Sequence, residues 1–324
     1  MAEFIARFLD EAGIPPLILT RGYAGGDEAK MLQRHLEQTS AKIGVGANRS
    51  AVGRSILDRY GHMDPLNLLR FEKKISRDKS APGPENEKVG AVILDDGMQH
   101  WSLLRDVEIV MLNSLMPWGN NHLLPRGSLR EPFSALVRAD IVVIHHADLV
   151  CDAQLKIVEY AVQKVSSSVL IYFTKLAPSY FFDVKNPLLK LPLSMVQNKL
   201  ALCVSAIGFP DAFVHAIKKI GPLHVDRVDF SDHHIIEAED VRVIRKRLQE
   251  LQDGFRVEAI MVVTEKDYDR DPIVLRGLDD IMVLVLCSSV NIIPSKNRSE
   301  ENFKMELMKL LVKKHGADLR TVKR

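Results

Sequence analysis

One short segment constrains this chain more than any other. Ala91-Val-Ile-Leu94 is a wholly apolar run that ends abruptly in two adjacent carboxylates, Asp95 and Asp96, followed by Gly97. An apolar run this short, closed by acids and a glycine, predicts a buried parallel strand delivering acids to the C-terminal edge of a sheet. Ligands of open α/β sheets bind at that edge. Two acids with no basic neighbour call for a cation there, and Mg²⁺ on a nucleotide phosphate is the usual one. The bland alternative is that one acid caps the following turn, which Gly97 merely allows. Gln99 and His100 add polar groups on the same side and favour a site.

The rest of the chain repeats the pattern. Strands are expected at 17–20, 42–46, 89–95, 107–112, 140–145, 168–174, 200–206, 223–228, 257–263 and 282–287. Helices are expected near 28–38, 50–60, 131–138, 152–165, 210–219, 238–253 and 299–314. This alternation predicts an α/β fold, doubly wound around a mostly parallel sheet. Residues 1–165 are expected to form the nucleotide and Mg²⁺ side, and 166–324 the acceptor side. Residues 61–88, with Pro65, Pro82, Gly83 and Pro84, read as a surface insertion. The opening differs from a doubly wound fold: Phe4, Ile5, Phe8 and Leu9 make one helical face that Gly13 ends, with no strand before it.

The 324 residues carry a net charge of only +2, so no global field points to nucleic acid. No run approaches the roughly 18 apolar residues of a spanning helix. Glu3 and Arg7 exclude a signal peptide at Met1, and no targeting segment is read in this chain. Cys151, Cys203 and Cys287 form no pair motif.

Four further segments hold chemistry. Thr20-Arg-Gly-Tyr-Ala-Gly-Gly-Asp-Glu28 is a glycine-rich turn in which Arg21 suits a phosphate and Asp27 suits either an N-cap or a proton acceptor. The loop from Asn113 to Pro132, about 20 residues, holds Arg126, Arg130 and Glu131; irregular loops of that length are usually functional. Asp232-His-His234 suits proton transfer or metal binding. Thr264-Glu-Lys-Asp267 places Lys266 at a strand end, as a phosphate ligand or a solvated turn.

In this order the motifs resemble the tetraacyldisaccharide 4′-kinases of lipid A synthesis. The stretches that carry the resemblance are Leu19–Tyr23, Gly26–Glu28, Ile93–His100, Leu123–Pro132, Arg138–Asp140, Gly208–Phe213, Asp232–His234 and Thr264–Asp267. The resemblance implies a P-loop NTPase-like fold and transfer of the ATP γ-phosphate to the 4′-hydroxyl of a lipid disaccharide 1-phosphate. Its implied partners are ATP, Mg²⁺, that lipid and a peripheral membrane surface. It assigns Asp95 and Glu131 to the metal, and Asp96, Arg21 and Arg130 to the nucleotide. Tyr23, Gln99 and His100 fall to the substrate. Asp27 becomes the base and His233 its partner.

The family's Gly-x-x-x-x-Gly-Lys-Thr phosphate loop has no counterpart in the sequence, and Met1 falls just after where it would lie. The expectation is a first strand and phosphate loop missing from the sheet, two unpaired strand edges, a destabilised fold and little kinase activity for the chain as written. The implied location is the cytoplasmic membrane face in a bacterium, or the mitochondrion in a eukaryote.

Two other readings compete. A two-metal phosphoesterase would use Asp95, Asp96, His145, His146, Asp232, His233 and His234. A non-catalytic homologue would keep only the sugar site. The last helix, with Phe303, Leu307, Leu310 and Leu311 on one side and Lys309, Lys313 and Lys314 elsewhere, reads as a packed helix or, as the lesser alternative, a membrane-surface helix.

Overall fold

The computed structural model describes residues 1–22, 26–64, 88–295 and 298–321, with side chains to 313 in the last helix. The chain folds as two compact units. The first comprises Met1–Arg21, Leu36–Leu176 and Val290–Arg324; the second comprises Gly22–His35 and Ala177–Ser289. Each unit is thus discontinuous in sequence. The glycine-rich turn and its helix go with the C-terminal half, and the last helix goes with the N-terminal half.

The first unit opens on helix α1 (Ala2–Glu11), which buries Ile5, Ala6 and Leu9. Strands β1 (Pro16–Thr20), β2 (Lys42–Val45) and β3 (Ala91–Leu94) form a parallel sheet in the order β2-β1-β3. Helix α3 (Arg49–Tyr60) packs on its apolar side through Val52, Ile56 and Leu57, and helix α2 (Asp27–Leu36) lies between β1 and β2 in the chain. A second parallel set runs β4 (Ile109–Asn113), β5 (Ile141–His145) and β6 (Leu170–Asp183). β1 and the first four residues of β5 are buried throughout, as expected for strands covered on both faces.

β3 and β4 differ. Each has a partner on one edge only among the described residues. Val92 on β3 is 48% exposed and Met111 on β4 is 40% exposed.

Helix α4 (Asp152–Val165) covers the second set, and helix α9 (Glu300–Thr321) closes the unit. Phe303 is fully buried, edge-on to both Phe4 and Tyr172, with ring centroids 5.7 and 5.1 Å away. Leu307 and Met308 join it in the same core as Ile5, Leu9, Ile141 and Val143. Burying one Phe of this kind stabilises by about 1.5–3 kcal/mol. The apolar side of α9 is therefore core, and the membrane-surface reading of Phe303 and Leu307 is corrected.

The second unit carries α2 (Asp27–Leu36, of which the unit takes residues to His35), the far half of β6, β7 (Asn186–Leu191), β8 (Leu200–Ser205), α5 (Pro210–Ile220), β9 (His224–Asp229), α6 (Ala238–Phe255), β10 (Ala259–Thr264), α7 (Glu265–Arg270), α8 (Pro272–Arg276) and most of β11 (Val283–Ile292). Its sheet runs β6-β11-β10-β8-β9, with β7 antiparallel to β6 at the edge. α5 buries Phe213, Val214 and Ile217 on one face; α6 buries Ile244, Leu248 and Leu251 against the other.

The 61–88 insertion falls mostly outside the described residues, as does Tyr23.

Candidate active site

In the first unit the acid pair sits where the sequence places it. β3 ends at Leu94, and the Asp95 amide donates to the Leu19 carbonyl of β1 at 2.9 Å. The chain then turns sharply. Asp96 adopts a left-handed backbone with φ 46°, a strained conformation that marks functional turns more often than loops at large. Gly97 follows for a steric reason: a Cβ there would lie 2.8 Å from the Leu94 carbonyl oxygen.

The turn is held from behind by Arg49, which the sequence reading did not single out. Arg49 is 6% exposed, and its Nη1 donates to the backbone carbonyls of Asp95 and, at 3.0 Å, of Asp96. α3 presents it, because Asn48 caps that helix by accepting from the Ala51 amide at 3.1 Å. The first turn of α1 lies near the same edge. Burial pushes the Met1 amino group below its ordinary value, against the opposing pull of Asp95 and Glu3.

Around this turn, Arg130 Nη1 donates to both Asp96 carboxylate oxygens at 2.7 and 2.6 Å. It also donates to Gln99 Oε1 at 3.3 Å. Gln99 Nε2 donates to Glu131 at 2.9 Å, and Arg138 donates to Glu131 at 2.8 Å while its guanidinium lies over the Trp101 ring, 4.6 Å from the centroid. Burial alone would raise the Glu131 carboxyl, but the hydrogen bonds from Gln99 and Arg138 outweigh it and hold the group below the usual carboxylate range. Burial, with Arg49 and Arg105 nearby, pushes His100 below its usual range, so its ring is neutral at pH 7. Asp96, Gln99, Arg130 and Glu131 thus form one connected set. Arg21 lies just past the end of β1 and is exposed.

The loop from Asn113 to Pro132 is ordered by its own backbone. The Leu124 amide donates to the Leu129 carbonyl at 2.9 Å and the Leu129 amide to the His122 carbonyl at 3.2 Å, Asn120 Nδ2 donates to the Arg126 carbonyl at 2.9 Å, and Trp118 packs edge-on to Phe133.

The second unit builds a different cluster. α2 is anchored by Arg34, which donates to Asp269 at 3.2 and 2.7 Å and to Glu265 at 3.0 Å, and lies over the Phe182 ring. At the start of α2, Asp27 is buried, 1% exposed. It does not act as a distant cap: its Oδ1 accepts from the neighbouring Glu28 amide at 2.8 Å, and its Oδ2 faces His233 Nδ1 at 3.4 Å. His233 is left-handed, φ 62°, and its amide donates to the Ala206 carbonyl at 3.1 Å. Its Nδ1 is buried with no hydrogen-bond partner, and its Nε2 lies 3.8 Å from Asp232. A Cβ on Gly208 would crowd the Asp232 carboxylate at 3.1 Å, so the Gly-Phe-Pro turn allows that approach. His234 instead stacks on Phe230 and pairs with Asp240 at 2.7 Å. Of the two adjacent histidines, only His233 reaches Asp27. Lys266 is paired with Glu28 at 2.7 Å.

The phosphoesterase reading loses support. Among the described residues no group of three His, Cys, Asp or Glu side chains is arranged to hold a metal ion. His145 bonds Thr174 Oγ1 at 2.9 Å, and burial, with His146 and the N-terminus adding to it, pushes it down to about 3.

Comparison with known proteins agrees with the motif order. The chain is 50% identical to a probable mitochondrial tetraacyldisaccharide 4′-kinase of Arabidopsis thaliana over 97% of its length and 79% of that protein. It is 28% identical to the tetraacyldisaccharide 4′-kinase of Syntrophus aciditrophicus, over 95% of the chain and 80% of that protein. Its fold is similar to that of a crystal structure of LpxK from Aquifex aeolicus in complex with ATP, with a TM-score of 0.57 at 19% identity over 97% of this chain and 83% of that one. The family model for tetraacyldisaccharide-1-P 4′-kinase matches residues 1–307, and the chain belongs to that family.

Proposed function

We propose that this protein transfers the γ-phosphate of ATP to the 4′-hydroxyl of a tetraacyldisaccharide 1-phosphate, weakly in the chain as written, which carries no Gly-Lys-Thr phosphate loop. The observation that carries the reading is the Asp27–His233 pair. A carboxylate that is 1% exposed, paired with Arg270 at 2.9 Å, faces a left-handed histidine whose Nδ1 is buried with no hydrogen-bond partner, an arrangement suited to proton transfer.

In the second unit, Asp27 and His233 accept the proton of the attacking hydroxyl. Asp27 is the base; His233 Nδ1, facing it, shares and orients the proton. In the first unit, Asp95 and Glu131 are hard oxygen donors of the kind Mg²⁺ takes, alongside phosphate oxygens and water. When bound, Mg²⁺ would neutralise charge developing between the β- and γ-phosphates. Arg130, which donates to both Asp96 carboxylate oxygens, and Arg21 are cations of a type suited to phosphate. Gln99 and neutral His100 supply uncharged hydrogen bonds suited to a sugar, and Tyr23 joins them by resemblance. Phosphoryl transfer asks for little beyond such positioning and charge neutralisation.

The lipid substrate brings the protein to a membrane surface, and the mitochondrial relative supports that compartment. No described helix is long and apolar enough to cross a membrane.

The test is Mg²⁺-dependent label transfer from γ-labelled ATP to the disaccharide, comparing the protein with its Asp27→Asn variant. A fall of about 10²–10⁴-fold is expected. Release of inorganic phosphate with no labelled disaccharide would point to the hydrolase reading instead.

A further inference from the structure

Arg270 is the most completely enclosed cation near the acceptor-side pair. Its side chain is 6% exposed, between Asp27 at 1% and Asp267 at 3%. Its Nη2 donates to Asp27 Oδ2 at 2.9 Å, and its Nη1 donates to Asp267 Oδ1 at 2.9 Å and to the His234 carbonyl at 3.3 Å. Asp267 is itself fixed: it accepts from the Ala206 amide at 3.0 Å and from Thr264 Oγ1 at 2.6 Å. Ala206 also accepts the His233 amide through its carbonyl. The guanidinium and the histidine backbone are therefore referenced to the same residue.

A purely structural pair, Arg270 with Asp267 three residues earlier, would need no second carboxylate. Burying Asp27 as well leaves two carboxylates around one guanidinium. That surplus negative charge lies 3.4 Å from His233 Nδ1. His233 Nδ1 is the polar atom that faces this charge, so the Asp27 carboxylate sets the orientation of the ring. Without Arg270, two buried carboxylates would face each other unpaired, and one would protonate or turn away.

We propose that Arg270 is the positioning residue of the acceptor-side pair: clamped on Asp267, it keeps Asp27 ionised and turned toward His233. This rests on the reading of Asp27 and His233 given under Proposed function. Lysine is a poor substitute, because a point charge cannot bridge two carboxylates as the planar fork does.

The experiment uses the full chain with ¹⁵N-labelled histidine rings and the variants Arg270→Lys and Arg270→Gln. His233 is assigned by loss of its signals in His233→Ala. In the unsubstituted protein, His233 is expected to carry its proton on Nδ1, facing Asp27. In Arg270→Lys, which retains a cation and a folded spectrum, the ring shifts move toward the tautomer mixture of an unconstrained imidazole, and Arg270→Gln moves them further. kcat for phosphate transfer falls on the order of 10²-fold, the cost of a misplacement of about 1 Å, while KM for ATP changes less than about twofold. His233 shifts identical to those of the unsubstituted protein in Arg270→Lys, or unchanged kcat, would overturn the proposal. The spectral arm needs no turnover. A protein that transfers no phosphate yet shows the His233 change supports the positioning role while removing the kinase reading of the pair.

Discussion

Replacing Arg49 with methionine is the sharpest perturbation of the acid turn. The methionine keeps much of the buried stem and removes only the guanidinium. That group makes two hydrogen bonds to carbonyls, of Asp95 and of Asp96, and its Nε has no partner to lose. Bonds from a charged donor contribute about 1.5–3 kcal/mol each. The lower end applies, because Asp96 is exposed and its carbonyl regains water. A loss of about 3 kcal/mol follows. At about 2–4 °C per kcal/mol for a domain of this size, the melting transition of the first unit falls by roughly 6–12 °C. The same change frees the left-handed Asp96 turn. Affinity for Mg²⁺-nucleotide then drops about tenfold for each 1.4 kcal/mol of positioning lost. Calorimetry and nucleotide titration read both quantities. Arg54→Met, an exposed position on the same helix, is the control and stays within about 0.5 kcal/mol of the original. If Arg49→Met melts with the control and binds nucleotide as well, Arg49 does not hold the turn.

Other expectations concern charge. His145 is pushed down to about 3 in the folded protein, against an unfolded value of 6.5. Between those values the unfolded chain binds the proton and the folded one does not. Its stabilisation is therefore complete above pH 6.5 and is lost as pH falls toward about 3. Urea unfolding of His145→Gln should show an acid slope shallower by at most about 1.4 kcal/mol per pH unit in that window, and an unchanged slope would refute the assignment. Glu131→Gln removes the proposed metal donor and the ion pair with Arg138; the Mg²⁺ concentration for half-maximal activity should rise about tenfold or more, with ATP affinity measured without metal unaffected. Equal Mg²⁺ dependence in the variant would take Glu131 out of the metal site.

The sequence shows the fold well where apolar runs are unambiguous. β5 reads directly, because burial on both faces leaves a continuous apolar signature, and the one-sided α1 face reads from its helical spacing. The β3 run and its acids are found too, but β3 is only partly buried, with Val92 48% exposed, because it pairs on one edge only among the described residues. The far half of β6 and the β7 edge strand are not legible in this way. Pro178 and Pro187 interrupt them, and Lys175 and Lys190 add the polarity of a loop. α7 and α8 are too short for a periodic pattern.

The site was legible unevenly for a related reason. Asp27, Asp95 and His233 belong to motifs, so the resemblance finds them. Arg49 and Arg270 act through partners 46 and 243 residues away, and nothing local to either marks that role. Asp232-His-His234 could not reveal which histidine faces Asp27. That depends on the left-handed turn at His233, which sends His234 to Phe230 and Asp240 instead.

The most direct test of the central claim is transfer of labelled γ-phosphate to tetraacyldisaccharide 1-phosphate, measured for this chain and for any longer product of its gene, each beside its Asp27→Asn and Asp95→Asn variants. The account predicts Mg²⁺-dependent label at the 4′-position, reduced at least about 100-fold by either substitution. Transfer that survives Asp27→Asn undiminished, or phosphate released to water with none on the sugar, would contradict it.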